Sequence, residues 1–391
     1  MNRPSTKKEK KLQPEFKYSK KEVLFFTLLS IVIGMAVPVL IIEVLLHFAP
    51  VRQYHGIYPV NEASPVKRFL PDRTLQWSND WKFSLSNKVH INNYGFINNH
   101  DYDEKSDAPL LSVIGDSYVE ALQVPYDQTM HGRLANQVAP NGRVYSFGLS
   151  GAPLSQYLVW AQYARDAFKP SGFVFVIISN DFDESLFKYK SGGGFHYFMK
   201  ENNEYKLVRT DYLPSFKGRT LLRLGRISKL TSYLFFNLKI IENWKMLRQG
   251  THPFFSNDKQ YVANVSSHVT PERLQDSLVV SDLFLDRLLE ATGVDVSSIL
   301  FVVDGLRPPM YDPKSLEEAM NSFWATVRMD FISKAKERGF EVIDMHPVFL
   351  EDFRNNKKRF EFVTDAHWNE YGHQVVADMI QQTTCFSNVF H

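Results

Sequence analysis

Cysteine is nearly missing from the chain: among 391 residues, only Cys385 carries a thiol. A lone thiol excludes an internal disulfide and a cysteine-based zinc site. It leaves the compartment open, because extracytoplasmic proteins without disulfides are common. Excess charge is missing as well. A formal net charge of +2 provides no broad basic field of the kind that draws nucleic acid. There is no H-E-x-x-H and no P-loop pattern, so metal and nucleotide readings lack support, and neither a metal nor a cofactor is expected. G-x-S-x-G is also lacking, which disfavours the elbow of the α/β-hydrolases. No internal repeat is present.

A long uncharged run is present. Met1 to Glu22 is polar and lysine-rich and is expected to be disordered, a basic tail. Val23 to Ile42, VLFFTLLSIVIGMAVPVLII, follows without a charge. About 20 apolar residues match a bilayer core of roughly 30 Å. Secretory signal cores are shorter, about 7–15 residues, and the following EVLLHFAP offers no small-x-small cleavage site. The expectation is an uncleaved anchor over 23–46, with Pro38 tolerated inside it. Lysines on the N-terminal side place that side in the cytoplasm. The rest then faces outward: into the periplasm if the cell is Gram-negative, otherwise to the cell exterior or a lumen. The bilayer, met through Val23 to Ile42, is thus one expected partner; no protein partner can be named.

Residues 47–107 are aromatic-rich without strong periodicity, and are expected to be a leader packed on the domain. From Leu110 an α/β rhythm begins. Strands are predicted at Leu110–Gly115, Arg143–Leu149, Phe173–Ser179, Ser298–Gly305 and Phe340–Met345. Helices are predicted at Val119–Val138, Pro153–Phe168, Leu274–Thr292, Ser315–Arg338 and Asn369–Gln382. An insertion of about 185–297 interrupts the rhythm, with a hairpin over Gly194–Tyr212 and a helix over Leu221–Gln249. Its aromatic and basic residues (Arg219, Arg223 and Arg226 among them) make either a lid or a packing subdomain. Five strands alternating with helices imply a doubly wound, mostly parallel sheet. Sites in such sheets form outside the carboxyl ends of the strands.

That rule gives meaning to Leu110 to Val124, LLSVIGDSYVEALQV. Taken alone, Ser117 is either a helix cap or a nucleophile. Other reactive groups follow other strand ends. Ser150-Gly151 follows strand two, Asn180 and Asp181 follow strand three, and Asp365 and His367 stand in TDAHWNEYGH near the end. A serine hydroxyl needs a base, which His367 supplies, and the imidazole needs an orienting carboxylate, which Asp365 supplies. The oxyanion of an acyl-transfer intermediate needs donors already in place, for which Ser117 N–H, Gly151 N–H and the Asn180 amide are candidates. Asp344 and His346, in DMHPVF, form a competing Asp-x-His pair. It ends strand five directly and is read as structural, as is His373. His196, in the hairpin, is a further candidate for substrate contact.

IGDSYVEA, SFGLSG, ISND and DAHWNEYGH together resemble, in order, the blocks of the SGNH (GDSL-type) hydrolase superfamily. With the N-terminal anchor and the N-x-x-G-F segment at Asn92, the chain resembles the membrane-anchored bacterial SGNH-domain proteins. The resemblance covers nearly the whole chain after Val23. It implies a flavodoxin-like three-layer sandwich with Ser117 as nucleophile, His367 as base and Asp365 as its partner. It also implies Gly151 and Asn180 in the oxyanion hole, with Asp116 and Asp181 as supporting residues. Three departures stand out. Ile178 replaces the usual glycine two before Asn180. Ala366 alone separates Asp365 from His367. Tyr118 stands in place of the leucine of GDSL.

Two functions are compatible with this sequence. One is a membrane-anchored extracytoplasmic serine esterase or O-acyltransferase acting on O-acyl groups, O-acetyl above all, of a cell-surface glycan. A membrane lipid ester is the alternative substrate. The other is a non-catalytic glycan-binding or assembly protein on the same scaffold.

Overall fold

The computed structural model describes residues 18–213, 223, 225, 227–241, 243, 244, 261, 262, 265, 266 and 268–391. Most of the basic tail, Arg219, Arg226 and much of the predicted helix over 221–249 lie outside the described residues. The chain divides into two units, Met1–Ala49 and Pro50–His391.

The first unit is one helix, α1 (Lys20–Leu46). It starts in a capping box: Ser19 Oγ accepts from Glu22 N–H, and the Glu22 carboxylate accepts from Ser19 N–H at 2.7 Å. It buries no side chain and is long and apolar enough to cross a membrane.

The second unit opens with an antiparallel pair, β1 (Arg73–Ser78) and β2 (Ser86–Ile91). The chain then builds β3 (Leu110–Gly115), a single helical turn α2 (Ser117–Glu120), α3 (Met130–Val138), β4 (Arg143–Gly148), α4 (Leu154–Phe168) and β5 (Gly172–Ile177). After a hairpin, β6 (His196–Glu201) and β7 (Glu204–Arg209), comes α5 (Pro271–Thr292). The core closes with β8 (Ile299–Val303), α6 (Pro313–Ala319), α7 (Phe323–Glu337), β9 (Glu341–Asp344) and α8 (Met345–Asn356). A small antiparallel pair, β10 (Glu361–Phe362) and β11 (Asp365–Trp368), precedes α9 (Glu370–Gln381) and α10 (Thr384–Phe390).

The main sheet has the order β9-β8-β5-β3-β4, and every pairing in it is parallel. This is the flavodoxin-like order, and its switch point lies at β3, which pairs with β4 on one side and β5 on the other. The strands read as continuous apolar runs because both faces are covered. Phe173, Phe175, Phe301 and Phe147 fill one face against α4, α5 and α7, together with leader residues Phe96 and Tyr102. Val113, Val174, Val176 and Val302 fill the other against α3, α8, α9 and α10. Each such side chain, fully buried, contributes about 1.5–3 kcal/mol.

The leader is more ordered than its lack of periodicity implied. Beyond the β1–β2 pair, Asn92 Oδ1 accepts from the Tyr94 and Phe96 N–H groups, both at 3.0 Å. Tyr102 stacks on Tyr145 at 3.9 Å and donates to the Ser146 carbonyl at 2.7 Å, which fixes the leader to β4.

Several predicted elements are corrected. The single helix over Val119–Val138 is broken: Ala121 adopts a left-handed conformation (φ 47°) and Pro125 supplies no N–H. A new N-terminus then forms at Thr129, whose hydroxyl accepts from Gly132 N–H at 3.1 Å. The helix over Ser315–Arg338 is two helices, because Ser322 caps a second start by accepting from Ala325 N–H at 3.2 Å. Asp344 to His346 does not merely end a strand; it opens α8, and the Asp344 carboxylate caps it. α10 has no counterpart in the expectations. In the hairpin, Asn202 and Asn203 both take positive φ (49° and 66°), as a tight two-residue turn requires. Phe195, Tyr197 and Phe198 are buried in the main core, so this part of the insertion packs rather than forming a lid.

Candidate active site

Ser117 is the first residue of α2, at the carboxyl end of the switch-point strand. The turn is tight because α2 lies directly on the end of β4: a Cβ on Gly148 would stand 2.7 Å from the Glu120 backbone nitrogen. Asp116 caps α2, its Oδ1 accepting from Tyr118 N–H at 2.9 Å. As the first helical residue, Ser117 has an N–H with no intrahelical acceptor.

His367 and Asp365 come from β11, far along the chain, and meet Ser117 directly. His367 Nε2 lies 2.7 Å from Ser117 Oγ. His367 Nδ1 hydrogen-bonds Asp365 Oδ1, and the Asp365 carboxylate also accepts from His367 N–H at 3.0 Å. Burial alone works against protonating His367, but the bond to Asp365 and the charges of Asp365, Asp116 and Glu120 outweigh it and raise its pKa. For Asp365, burial pushes upward, and the His367 contacts prevail and lower its pKa. An Nδ1–H held by a carboxylate leaves Nε2 as a lone pair aimed at the serine hydroxyl, the tautomer a general base needs.

Ser117 Oγ has a second neighbour, Asp116 Oδ2, at 3.0 Å. One hydroxyl proton cannot serve two acceptors. Asp116 is 1% exposed, and burial raises its pKa. Protonated, it donates to Oγ and leaves the serine proton for His367; ionised, it competes with His367 for that proton.

The other predicted donors follow the ends of β4 and β5. Gly151 adopts φ 72°, a conformation natural to glycine, and its N–H makes no hydrogen bond to another described residue. Its carbonyl accepts from Lys190 Nζ at 2.9 Å. Lys190 also pairs with Glu184, and Glu184 Oε2 accepts from Asn180 Nδ2 at 3.3 Å. One of the two Asn180 amide hydrogens is therefore held by Glu184. Its Oδ1 is buried without a partner. Asp181 is fully buried, accepting from Ile178 N–H (2.8 Å) and the Tyr157 hydroxyl (2.9 Å); burial raises its pKa well above the usual range. It locks the loop that carries Asn180. Beside Gly151, Ser150 donates N–H and hydroxyl to Glu120, whose carboxyl burial pushes up to about 7.

Tyr118 and several residues not singled out in the sequence hold the His367 segment in place. Arg307, 1% exposed, donates to Asp304 (2.7 and 3.1 Å), Glu361 (3.2 Å), the Ala366 carbonyl (3.2 Å) and the Tyr118 hydroxyl (3.1 Å). Tyr118 OH donates to the Ala366 carbonyl at 3.0 Å, and Trp368 Nε1 donates to Asp304 at 3.0 Å. Both residues flanking His367 are thus fixed. Gln123 Nε2 donates to Asp365 Oδ2 at 3.3 Å. The one signal for Arg307 and Asp304 in the sequence is their position just after an apolar strand, on the rim where sites form.

The competing residues are placed elsewhere. Asp344 bonds Arg328 and caps α8, while His346 Nδ1 faces Leu306 N–H at 3.4 Å; burial lowers the His346 pKa. His373 is buried and accepts from Met130 N–H at 3.2 Å. His196 is buried against Gln156, its Nδ1 3.0 Å from Oε1. Among the described residues, no cluster of ligands suited to a metal ion occurs.

No protein-family model matches the chain, and no curated protein does. Among solved structures, it is similar to a lipase from a goat rumen metagenome (14% identity over 72% of this chain and 98% of the other, TM-score 0.36). It is similar to an acetyl xylan esterase from Geobacillus stearothermophilus (14%, 73% and 98%, TM-score 0.35). It is likewise similar to a member of the lipolytic G-D-S-L family from Veillonella parvula (12%, 69% and 95%, TM-score 0.35).

Proposed function

We propose that this protein is a serine esterase or O-acyltransferase, anchored by α1 and facing the extracytoplasmic side. Ser117 is the nucleophile, His367 the general base and Asp365 its orienting partner. The observation that carries this reading is the unbroken line Ser117 Oγ, His367 Nε2, His367 Nδ1, Asp365 Oδ1 at the switch point of the sheet. His367 takes the hydroxyl proton as Oγ attacks the acyl carbon. The oxyanion then meets the N–H groups of Ser117 and Gly151 and the second hydrogen of the Asn180 amide. Asp116 and Asp181 support the two loops. Collapse expels the alcohol, which His367 protonates, and leaves an acyl-serine. Water or a second hydroxyl, deprotonated by His367, resolves it; the first outcome is hydrolysis and the second is transfer.

The substrate we infer is an O-acyl group, O-acetyl first, on a cell-surface glycan. Support comes from the uncharged run at Val23–Ile42 behind a lysine-rich start, a pattern that favours an extracytoplasmic body. The test is p-nitrophenyl acetate hydrolysis by the full-length protein against Ser117→Ala and His367→Ala. Each substitution is expected to remove turnover. Equal rates in all three proteins would remove the enzyme reading and leave the glycan-binding one.

A further inference from the structure

Arg307 and Lys190 each meet a carboxylate. Lys67, in the leader, does not, although it is only 8% exposed. Its ammonium stands 3.3 Å from the centre of the Phe195 ring. An ammonium has three N–H donors, and a ring face serves one side of it. No oxygen of a described residue accepts from Lys67 Nζ, and no described carboxylate pairs with it. Burying a charge without an acceptor is costly. Burial, followed by the charge of Lys190, pushes the Lys67 pKa down to about 7, and Glu120 opposes the shift. The backbone around the lysine is fixed. The Lys67 carbonyl accepts from Trp160 Nε1 at 3.1 Å, the Arg68 carbonyl accepts from Tyr58 N–H at 2.9 Å, and Phe69 N–H donates to the Gly95 carbonyl at 2.8 Å. The leader thus holds Lys67 between α4 and the start of the hairpin.

The space in front of the ammonium is open and adjoins the candidate site. Apart from chain neighbours, a Cβ on Gly193 (φ 67°) would meet, within 4 Å, only Lys67 Nζ among the described residues, at 3.5 Å. A Cβ on Gly192 would meet none of them, and one on Gly151 would meet only Lys190 Nζ, at 3.3 Å. Gly193 therefore looks toward one ammonium and Gly151 toward another, and neither direction is filled. Lys190 and Gly193 are three residues apart in the chain, a span of at most about 11 Å. The two cations differ in what they already hold. Lys190 has Glu184 and the Gly151 carbonyl, whereas Lys67 keeps an unmatched charge.

We propose that Lys67 receives a carboxylate of the substrate, seated beside the Gly192–Gly193 backbone. The proposal deepens the acyl-transfer reading and rests on it: the ester it takes bears an acid group, on its acyl part or on its alcohol. A carboxylate oxygen gives the ammonium a charge-assisted hydrogen bond. One unmatched cation suits a monoanion. A phosphate dianion would also meet the repulsion of Glu184, beside Lys190, and of Glu120, whose charge acts on Lys67.

The test uses the full-length Ser117→Ala protein in detergent micelles, so that esters bind without turnover, and reads affinity by NMR titration. One pair of esters places the acid on the alcohol: 4-acetoxybenzoate and its methyl ester. A second pair places it on the acyl group: 4-nitrophenyl hydrogen succinate and its methyl ester. The acid member of one pair is expected to bind roughly tenfold tighter than its methyl ester, the worth of one charge-assisted hydrogen bond. The pair that shows the preference tells which part of the substrate carries the acid. Adding Lys67→Met should erase the preference, and Lys67→Arg should keep most of it. Equal affinities within both pairs while Lys67 is intact overturn the proposal, as does a preference that survives Lys67→Met. Loss of acid and methyl ester alike in both Lys67→Met and Lys67→Gln assigns the lysine to the fold and overturns it too. Turnover of p-nitrophenyl acetate by the native protein reads the enzyme separately. Turnover without acid preference removes the subsite alone; acid preference without turnover keeps Lys67 as a binding group and removes the enzyme reading.

Discussion

The two halves of the candidate site are held by different means. On the base side, the segment bearing Asp365 and His367 is clamped by Arg307, a guanidinium 1% exposed that meets two carboxylates and a carbonyl. On the oxyanion side, Gly151 and Asn180 share one ion pair, Lys190 with Glu184, each side chain 30% exposed. A buried charge network is costly to assemble and strongly destabilising to break. A half-exposed pair is weak and is screened by salt. In the mechanism proposed, His367 must keep one orientation through two proton transfers, so fixing it rigidly has a direct chemical use.

Four experiments sharpen or break this contrast. The largest effect is expected for Asp365→Asn, which leaves the geometry but not the tautomer; kcat should fall by about 10⁴. Its pH profile carries a second reading. Burial lowers the His367 pKa, while Asp365, Asp116 and Glu120 raise it to a net increase. In the native protein kcat/KM therefore rises as His367 loses its proton at a pH above that of a free imidazole, about 6.5. In Asp365→Asn that limb should move to lower pH; an unmoved limb would mean that another group is titrating.

Next comes Arg307→Met, which leaves Asp304 and Glu361 buried without their cation. Unfolding should become easier by about 3–5 kcal/mol, read by denaturant titration. A loss under 1 kcal/mol would show that the clamp is not what fixes the base side. Lys190→Met should have a smaller effect, because Lys190 acts through Gly151 and Glu184. A fall in kcat of roughly tenfold at nearly constant KM is expected, below the ~10²–10³-fold that loss of a whole oxyanion donor costs. Lys190→Arg should restore most of it. Equal changes in kcat and KM would assign Lys190 to substrate binding instead. The smallest effect belongs to Gln123→Ala. It removes one hydrogen bond to Asp365, worth about 0.5–1.5 kcal/mol, and should lower kcat/KM two- to tenfold without changing the limb direction.

The strands of the main sheet were legible because each is an unbroken apolar run followed by small or polar residues on one rim. The meeting of Ser117 with His367 was legible only through their order relative to those runs. Arg307, Asp304 and Glu361 were not legible as a group. Pairing across such distances in the chain leaves no local pattern, and one buried arginine looks like any other arginine in a sequence. Helix ends were misjudged where a local cap competed with periodicity. Thr129 and Ser322 both restart a helix inside what read as one amphipathic stretch. The leader hairpin β1–β2 was hidden by its half-exposed, mixed composition.

One topological detail bears on how such a protein diversifies. The chain leaves the sheet at Ile177 and re-enters beside it at Ile299, where β5 and β8 pair in register. Loop-closure entropy grows only with the logarithm of length, so each doubling of the excursion costs about 0.6 kcal/mol. The excursion can therefore lengthen, shorten or change its surface chemistry with little effect on the stability of the sheet. The same excursion carries Asn180, Glu184 and Lys190 at its start. The residues that hold Gly151 and Asn180 thus lie at the mouth of the part of the chain that is freest to vary.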